Sequence, residues 1–287
     1  MTAADSRKRI GRAFHRQAGE YDQHAMIQKH VVSRLDSLIE LHLKTAPAGL
    51  LDIGCGTGNM LAALQKRFPH CRLHGLDLAF NMALASANRF GGDAVIVNGD
   101  AERLPFRDNS FELVVSASTL QWVDNLDKCL QESLRVLAPG GLFCAAFFGG
   151  TTLWELQESY RQALTGRQVT DRHSERLQRF KSIAEVHQAL ACIDFEYAFV
   201  SSEIEMEYHA DASHLLRSIK GVGAATAARN DSGGGLGWRD VLHEMGNIYC
   251  SKFGSDGKIP ATWEVIYIIA KRPAKPGKQQ SSEQVDG

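Results

Sequence analysis

Residues 50–58 read LLDIGCGTG, an apolar run that ends in glycines at every second position, Gly54, Gly56 and Gly58. Such a run reads as a buried strand turning sharply into a helix, because glycine enters left-handed backbone without steric penalty. The same rhythm continues on both sides. From about residue 48 to 148, short apolar runs alternate with helix-period segments; strands are expected at 49–54, 72–77, 94–98, 111–117 and 141–148, and helices at 59–68, 81–89 and 126–137. Strands alternating with helices in this way build β-α-β units on a parallel sheet. The APGG at 138–141 is expected to end the third helix and turn into the fifth strand, since Pro139 cannot continue a helix and the glycines permit a left-handed turn.

The flanks add helices and two further strands. Residues 5–45 read as helical, with Val31, Val32, Leu35, Leu38 and Ile39 spaced for one face, and are expected to form a cap or lid. After the core, 153–164 and 183–190 read as helices, with the Ser182 hydroxyl suited to cap the second. FEYAFVSSEIEMEYH (195–209) alternates as a strand and WEVIYIIAK (263–271) reads as a buried one, with helices over 211–220 and 238–253 between them. Both strands are expected to finish the same sheet. NDSGGGLG (230–237) reads as a mobile loop. The fold expected is therefore α/β: a Rossmann-like, doubly wound, seven-stranded sheet with N-terminal helices and a helical insertion after strand five. One domain would span 1–272, divided into a lid (1–45), a ligand-binding core (46–150) and insertion helices with the last strands (151–272); the polar stretch 273–287 would be a disordered tail.

Composition limits the partners. With 32 Lys+Arg against 33 Asp+Glu the net charge is −1, so no global field draws the chain to nucleic acid or to an anionic membrane. The six cysteines show no metal-ligand spacing and read as reduced core thiols. Neither a signal-like apolar segment nor an 18-residue apolar span occurs, and the expectation is a cytoplasmic monomer that binds no metal.

What the glycine loop holds depends on its surroundings. A dinucleotide fingerprint, G-x-G-x-x-G, needs its third glycine five residues after the first, and that position is Asn59. The spacing here is G-x-G-x-G, which opens the turn without building an anion nest. S-adenosylmethionine (SAM) has no phosphate and needs no nest. Asp52 is placed to meet its ammonium, directly or through water. Asp77, with Leu78 beside it, ends the second strand and suits the ribose hydroxyls, although a dinucleotide would ask for the same residue. In NGDAERLPF (98–106), Asp100 and the Ala101 N–H suit the adenine amino group and a ring nitrogen. Ser116 to Trp122, including Gln121, should then lie under the sulfonium and the methyl acceptor, with Trp122 equally readable as core.

In this order and spacing the motifs resemble the class I SAM-dependent methyltransferases, which release S-adenosylhomocysteine. A narrower resemblance is to the malonyl-[acyl-carrier protein] O-methyltransferases of biotin synthesis. It spans about 10–272 and rests on the F-x-x-x-A-x-x-Y-D opening (Phe14, Ala18, Tyr21, Asp22), LQWVDNL, FFGGTTLWEL, LLRSIKGVGA (215–224) and IPATWEVIYIIAKRP. That resemblance implies methyl transfer to the free carboxylate of a malonyl thioester on acyl carrier protein or coenzyme A. It would need a cation for the carboxylate; Lys220 and Arg217, three apart on one helix, lead the candidates, with Arg179 a third. Tyr21 is expected either to close over the site or to pack the lid. Arg172, Arg176 and Arg179 would align as a basic face for an acidic carrier protein, or as a solvated charged face beside Asp171 and Glu175. Two other readings compete: a carboxyl methyltransferase acting on a small free acid such as trans-aconitate, and the respiratory complex I assembly factors of this fold, which the sequence also resembles through F-G-G-x-T-L-x-E-L and G-x-I-P-A-T.

Overall fold

The computed structural model describes residues 26–166, 179–221 and 236–274. Within them the alternating pattern closes into a seven-stranded sheet. Its strands are β1 (Gly49–Ile53), β2 (Arg72–Asp77), β3 (Ala94–Asn98), β4 (Phe111–Ala117), β5 (Leu137–Phe148), β6 (Tyr197–His209) and β7 (Ile259–Lys271), in the order β3-β2-β1-β4-β5-β7-β6. β1 to β5 run parallel, and β7 lies antiparallel between β5 and β6. The helices are α1 (Met26–His42), α2 (Asn59–Arg67), α3 (Phe80–Phe90), α4 (Leu126–Val136), α5 (Trp154–Gly166), α6 (Ile183–Ala191), α7 (Ala212–Gly221) and α8 (Leu236–Phe253).

Side-chain alternation sends successive strand residues to opposite faces, so the buried strands feed two cores. Leu50, Leu113, Val115, Cys144 and Tyr267 face one core with α1, α2, α5 and α8, whereas Leu51, Val114, Phe143 and Ile266 face the other with α4 and α6. On α1, Val31, Leu35 and Ile39 are fully buried at helical spacing. Its outer side is tied down by Asp36, which accepts from Arg67 Nε and Nη2 at 2.8 and 2.7 Å. The expected cap on α6 is a full capping box: Ser182 Oγ accepts from the Glu185 N–H while the Glu185 carboxylate accepts from the Ser182 N–H.

Several boundaries differ from the sequence reading; β7, for one, starts at Ile259, four residues before the expected 263. β5 begins at Leu137, so the APGG lies inside a strand, where pairing jumps from Phe111–Leu137 to Leu113–Leu142 and Gly140 adopts φ +77°. The glycine serves an irregularity in the ladder rather than a turn before it. α8 starts at Leu236, inside the expected loop, and residues 230–235 of that loop lie outside the described residues. Among the described residues no helix is long and apolar enough to cross a membrane.

Candidate active site

The carboxyl ends of β1, β2, β3 and β4 surround a cleft of about 770 Å³, its open mouth included, at the point where strand order reverses between β1 and β4. The glycine loop forms its floor, and Gly54, Gly56 and Gly58 all adopt left-handed backbone, at φ +75°, +54° and +86°. Each glycine has its own reason. A Cβ on Gly54 would come within 2.1 Å of Thr119 Oγ1, and one on Gly58 within 2.7 Å of the Phe90 ring. A Cβ on Gly56 would meet nothing within 4 Å, and Gly56 lines the cleft. Two of the three therefore permit close packing beneath the floor, and the third keeps the floor low.

Four of the loop's N–H donors are already engaged. The N–H groups of Gly54 and Cys55 donate to Leu76 O at 2.7 and 3.0 Å, that of Gly58 to Cys55 O at 2.8 Å, and that of Gly56 to Asp77 Oδ2 at 2.9 Å. A pyrophosphate cradle needs those donors free and a positive field. Here carboxylates line the cleft instead. This geometry adds to the glycine spacing in disfavouring a dinucleotide.

The acids differ in how they are held. Asp77 Oδ1 accepts from the Ala79 N–H at 2.8 Å, so both carboxylate oxygens are bonded; burial nevertheless raises its pKa to about 6, against those two hydrogen bonds. Asp100 Oδ1 accepts from the Glu102 N–H at 2.9 Å, which turns the chain past β3 and presents Ala101 to the cleft. Asp52 is 1% exposed, and neither oxygen has a hydrogen-bond partner among the described residues. Burial, with the Asp77 charge adding, pushes its pKa to about 8. A buried carboxyl without a donor is costly to retain. An ammonium delivered beside Gly54 would satisfy it, and the methionyl end of SAM carries one.

The opposite wall comes from the segment after β4. Ser118 adopts φ +56°, rare for a residue with a side chain, and its backbone N–H donates to Ala146 O at 2.7 Å. Thr119 Oγ1 donates to Gly54 O at 3.2 Å and links this wall to the floor. Ser118, Thr119, Trp122 and Val123 line the cleft, as do Leu78, Ala79 and Met82 from the β2 side and Glu102 from the β3 side. Two expected residues sit behind it. Ser116 is fully buried and donates its hydroxyl to Ile53 O at 2.8 Å, tying β4 to β1 below the floor. Gln121 is 4% exposed and donates Nε2 to Ser118 O at 2.8 Å, bracing the wall. Of 116–122, Ala117, Ser118, Thr119 and Trp122 face the cleft, and Ser116 and Gln121 support it from behind. The rule that ligands bind outside the carboxyl ends of strands points to the residues after Ala117.

The expected acceptor cations are more dispersed. Arg217 and Lys220 share α7 and are exposed, without lining the cleft. Arg179 is 82% exposed and pairs with Glu185 Oε1 at 2.7 Å, so it serves the α6 cap. Tyr21, Arg172 and Arg176 lie outside the described residues.

Two of the singled-out motifs form one unit. Glu264 Oε2 accepts from the Thr151 N–H at 2.8 Å and from Thr151 Oγ1 at 2.9 Å; Thr262 Oγ1 donates to Glu155; and the Leu153 N–H donates to Thr262 O at 2.6 Å. A Cβ on Gly149 would lie 2.6 Å from Glu264 Cδ, so the turn after β5 requires glycine. FFGGTTLWEL and IPATWEV therefore fasten the start of α5 to β7.

The comparisons with known proteins agree with this geometry. Residues 51–145 match the family described as Methyltransferase domain. The malonyl-[acyl-carrier protein] O-methyltransferase of Geobacter sulfurreducens is 41% identical over 268 residues, which cover 93% of this chain and 99% of that one. The biotin biosynthesis bifunctional protein BioHC of Teredinibacter turnerae is 33% identical, over 93% of this chain and 47% of that one. Among solved structures, YcgJ of Bacillus subtilis superposes with a TM-score of 0.55 at 19% identity, covering 84% of this chain and 98% of that one. A phosphoethanolamine N-methyltransferase of Haemonchus contortus in complex with S-adenosyl-L-methionine gives 0.54 at 19% identity, covering 90% and 57%. By sequence along nearly its whole length, the chain belongs to the malonyl-[acyl-carrier protein] O-methyltransferase family.

Proposed function

We propose that this protein transfers the methyl group of SAM to the free carboxylate of a malonyl thioester carried on acyl carrier protein. The observation that carries the donor is Asp52, a buried carboxyl without a hydrogen-bond partner among the described residues, two residues before Gly54 in the floor of a cleft lined by Asp77, Asp100 and Glu102. The acceptor follows from relatives whose names specify malonyl-[acyl-carrier protein] and, for one, biotin biosynthesis.

The chain's residues divide the donor among them. Asp52 takes the ammonium, Asp77 the ribose hydroxyls, Asp100 the adenine amino group and the Ala101 N–H a ring nitrogen. Leu78, 39% exposed, offers apolar surface beside the nucleoside. Bound SAM supplies a methyl group already activated by its sulfonium. A carboxylate oxygen forms the new C–O bond as the S–C bond breaks and its electron pair stays on sulfur, so no proton moves. A carboxylate is already anionic at neutral pH, and the protein's work is to align it and exclude water. Trp122, Val123 and Met82 make the cleft wall apolar for that purpose.

The test is incubation of pure protein and methyl-tritiated SAM with malonyl acyl carrier protein, malonyl-CoA or free dicarboxylic acids in parallel. Labelled ester on the carrier protein supports the reading. Label on free acids alone defeats it.

A further inference from the structure

Residues 179–182, just before α6, cross the carboxyl edge of the sheet. Phe180 packs against one core and Ile183 against the other, so Lys181 and Ser182 bridge the edge between them. The bridge is seated closely: a Cβ on Gly150, just past β5, would lie 3.4 Å from Ser182 Cα. From this position Lys181 reaches the cleft wall, with Nζ 3.5 Å from the main-chain oxygen of Val123.

Lys181 is also bonded unlike Arg179, two residues earlier, and unlike the other ion-paired cations. Arg179, Arg34, Arg67, Arg135, Lys252 and Lys271 each have a carboxylate oxygen within 4.0 Å. Among the described residues no carboxylate lies that close to Lys181, whose contact with Val123 O is at the outer limit of a hydrogen bond. Glu185, which precedes α6's second turn, is already taken by Arg179 and Ser182. Burial lowers the Lys181 pKa, as the nearby Arg179 does more weakly, while Glu185, Asp124 and Glu102 oppose the shift. A half-buried ammonium with no carboxylate partner among the described residues, in contact with a residue that lines an otherwise acidic cleft, is suited to an anion brought in with the substrate.

We propose that Lys181, rather than Arg179, grips the carboxylate of the acyl substrate and makes the site selective for a malonyl group; this rests on the methyl-transfer reading above. The choice of lysine has a chemical reason. An arginine fork engages both oxygens of a carboxylate, whereas an ammonium is a point charge that holds one and leaves the other free to attack.

The experiment measures binding of malonyl and acetyl acyl carrier protein to the intact protein with S-adenosylhomocysteine present, for wild type, Lys181→Met and Lys181→Arg. Lys181→Met should weaken malonyl carrier protein by about 10- to 100-fold, and leave acetyl carrier protein and S-adenosylhomocysteine unchanged. Lys181→Arg should retain malonyl binding and lower kcat. Equal loss of the malonyl and acetyl forms would place the contact on the carrier or its prosthetic group and overturn the proposal, as would weakened S-adenosylhomocysteine binding or unaltered malonyl binding in Lys181→Met. A wild-type protein that neither binds nor methylates malonyl carrier protein would instead remove the functional reading itself.

Discussion

Two regions of this molecule bury carboxylates, and they treat them in opposite ways. Around β7, Glu264 and Glu155 are 7% and 2% exposed and are met by threonine hydroxyls and backbone N–H groups. At the end of β1, Asp52 is equally buried and receives no donor among the described residues. The fold can satisfy a buried acid when it needs to. An acid that it leaves unsatisfied beside a cleft therefore marks the place where a ligand completes the structure.

The largest test of this contrast lies in the glycine loop. Gly54→Ala should cost about 2–5 kcal/mol of stability, from left-handed strain plus overlap with Thr119. Gly56→Ala should cost only the strain, about 1–2 kcal/mol, yet weaken S-adenosylhomocysteine far more than it lowers the melting temperature. Thermal melts with and without S-adenosylhomocysteine separate the two, and comparable melting losses would contradict the division between packing and ligand glycines.

Asp52→Asn comes next. It should weaken SAM by about 1.5–3 kcal/mol, or roughly 10- to 150-fold, by removing a charged partner. The folded protein holds the Asp52 proton more tightly than the unfolded chain does, since its pKa rises from 3.8 to about 8. Stability from this group is therefore full at low pH and declines as the pH climbs from about 4 to about 8, a decline that Asp52→Asn should flatten. Below pH 8 the free site is mostly protonated, so an incoming ammonium should expel that proton. Calorimetry in buffers of different ionisation enthalpy will reveal proton release at pH 7, with affinity increasing toward pH 8; an affinity that ignores both buffer and pH would refute the charge pairing.

Thr262→Val applies the same logic to the other region. It takes the hydroxyl donor from Glu155 and should cost about 1–3 kcal/mol in stability, with S-adenosylhomocysteine affinity unaltered in calorimetry. The smallest effect is expected for Arg179→Ala, whose exposed pair with Glu185 should add nothing measurable to stability or to malonyl binding.

The sheet was legible because its signals are local. β2, β3 and β4 fall at the residues that apolar runs and intervening helical periods indicate, and the capping box on α6 is visible in Ser182 and Glu185 alone. The early start of β5 was not legible, because Leu137 pairs with Phe111, a partner set by tertiary register. The site divides similarly. Asp52, Asp77 and Asp100 follow from their places at strand ends, whereas Ser116 and Gln121 were assigned to the cleft when a hydrogen bond from each turns it into support. Lys181 gave no sequence signal that separates it from Arg179 two residues earlier. What distinguishes them is the company each keeps in three dimensions.

The reversed strand β7 has one more consequence. It pairs with β5 only through Val265–Lys271, yet with β6 along its whole length, so Ile259–Glu264 and Ile204–His209 continue as a two-stranded ribbon past the edge that holds the cleft. Six residues of ribbon rise roughly 20 Å. A wall of that height on one side of the cleft would hold a bulky protein resting on it back from the reaction, and cargo on a long tether could still reach it. On the proposed reading, the ribbon would favour an acyl group presented on a carrier's flexible arm over a small acid arriving alone.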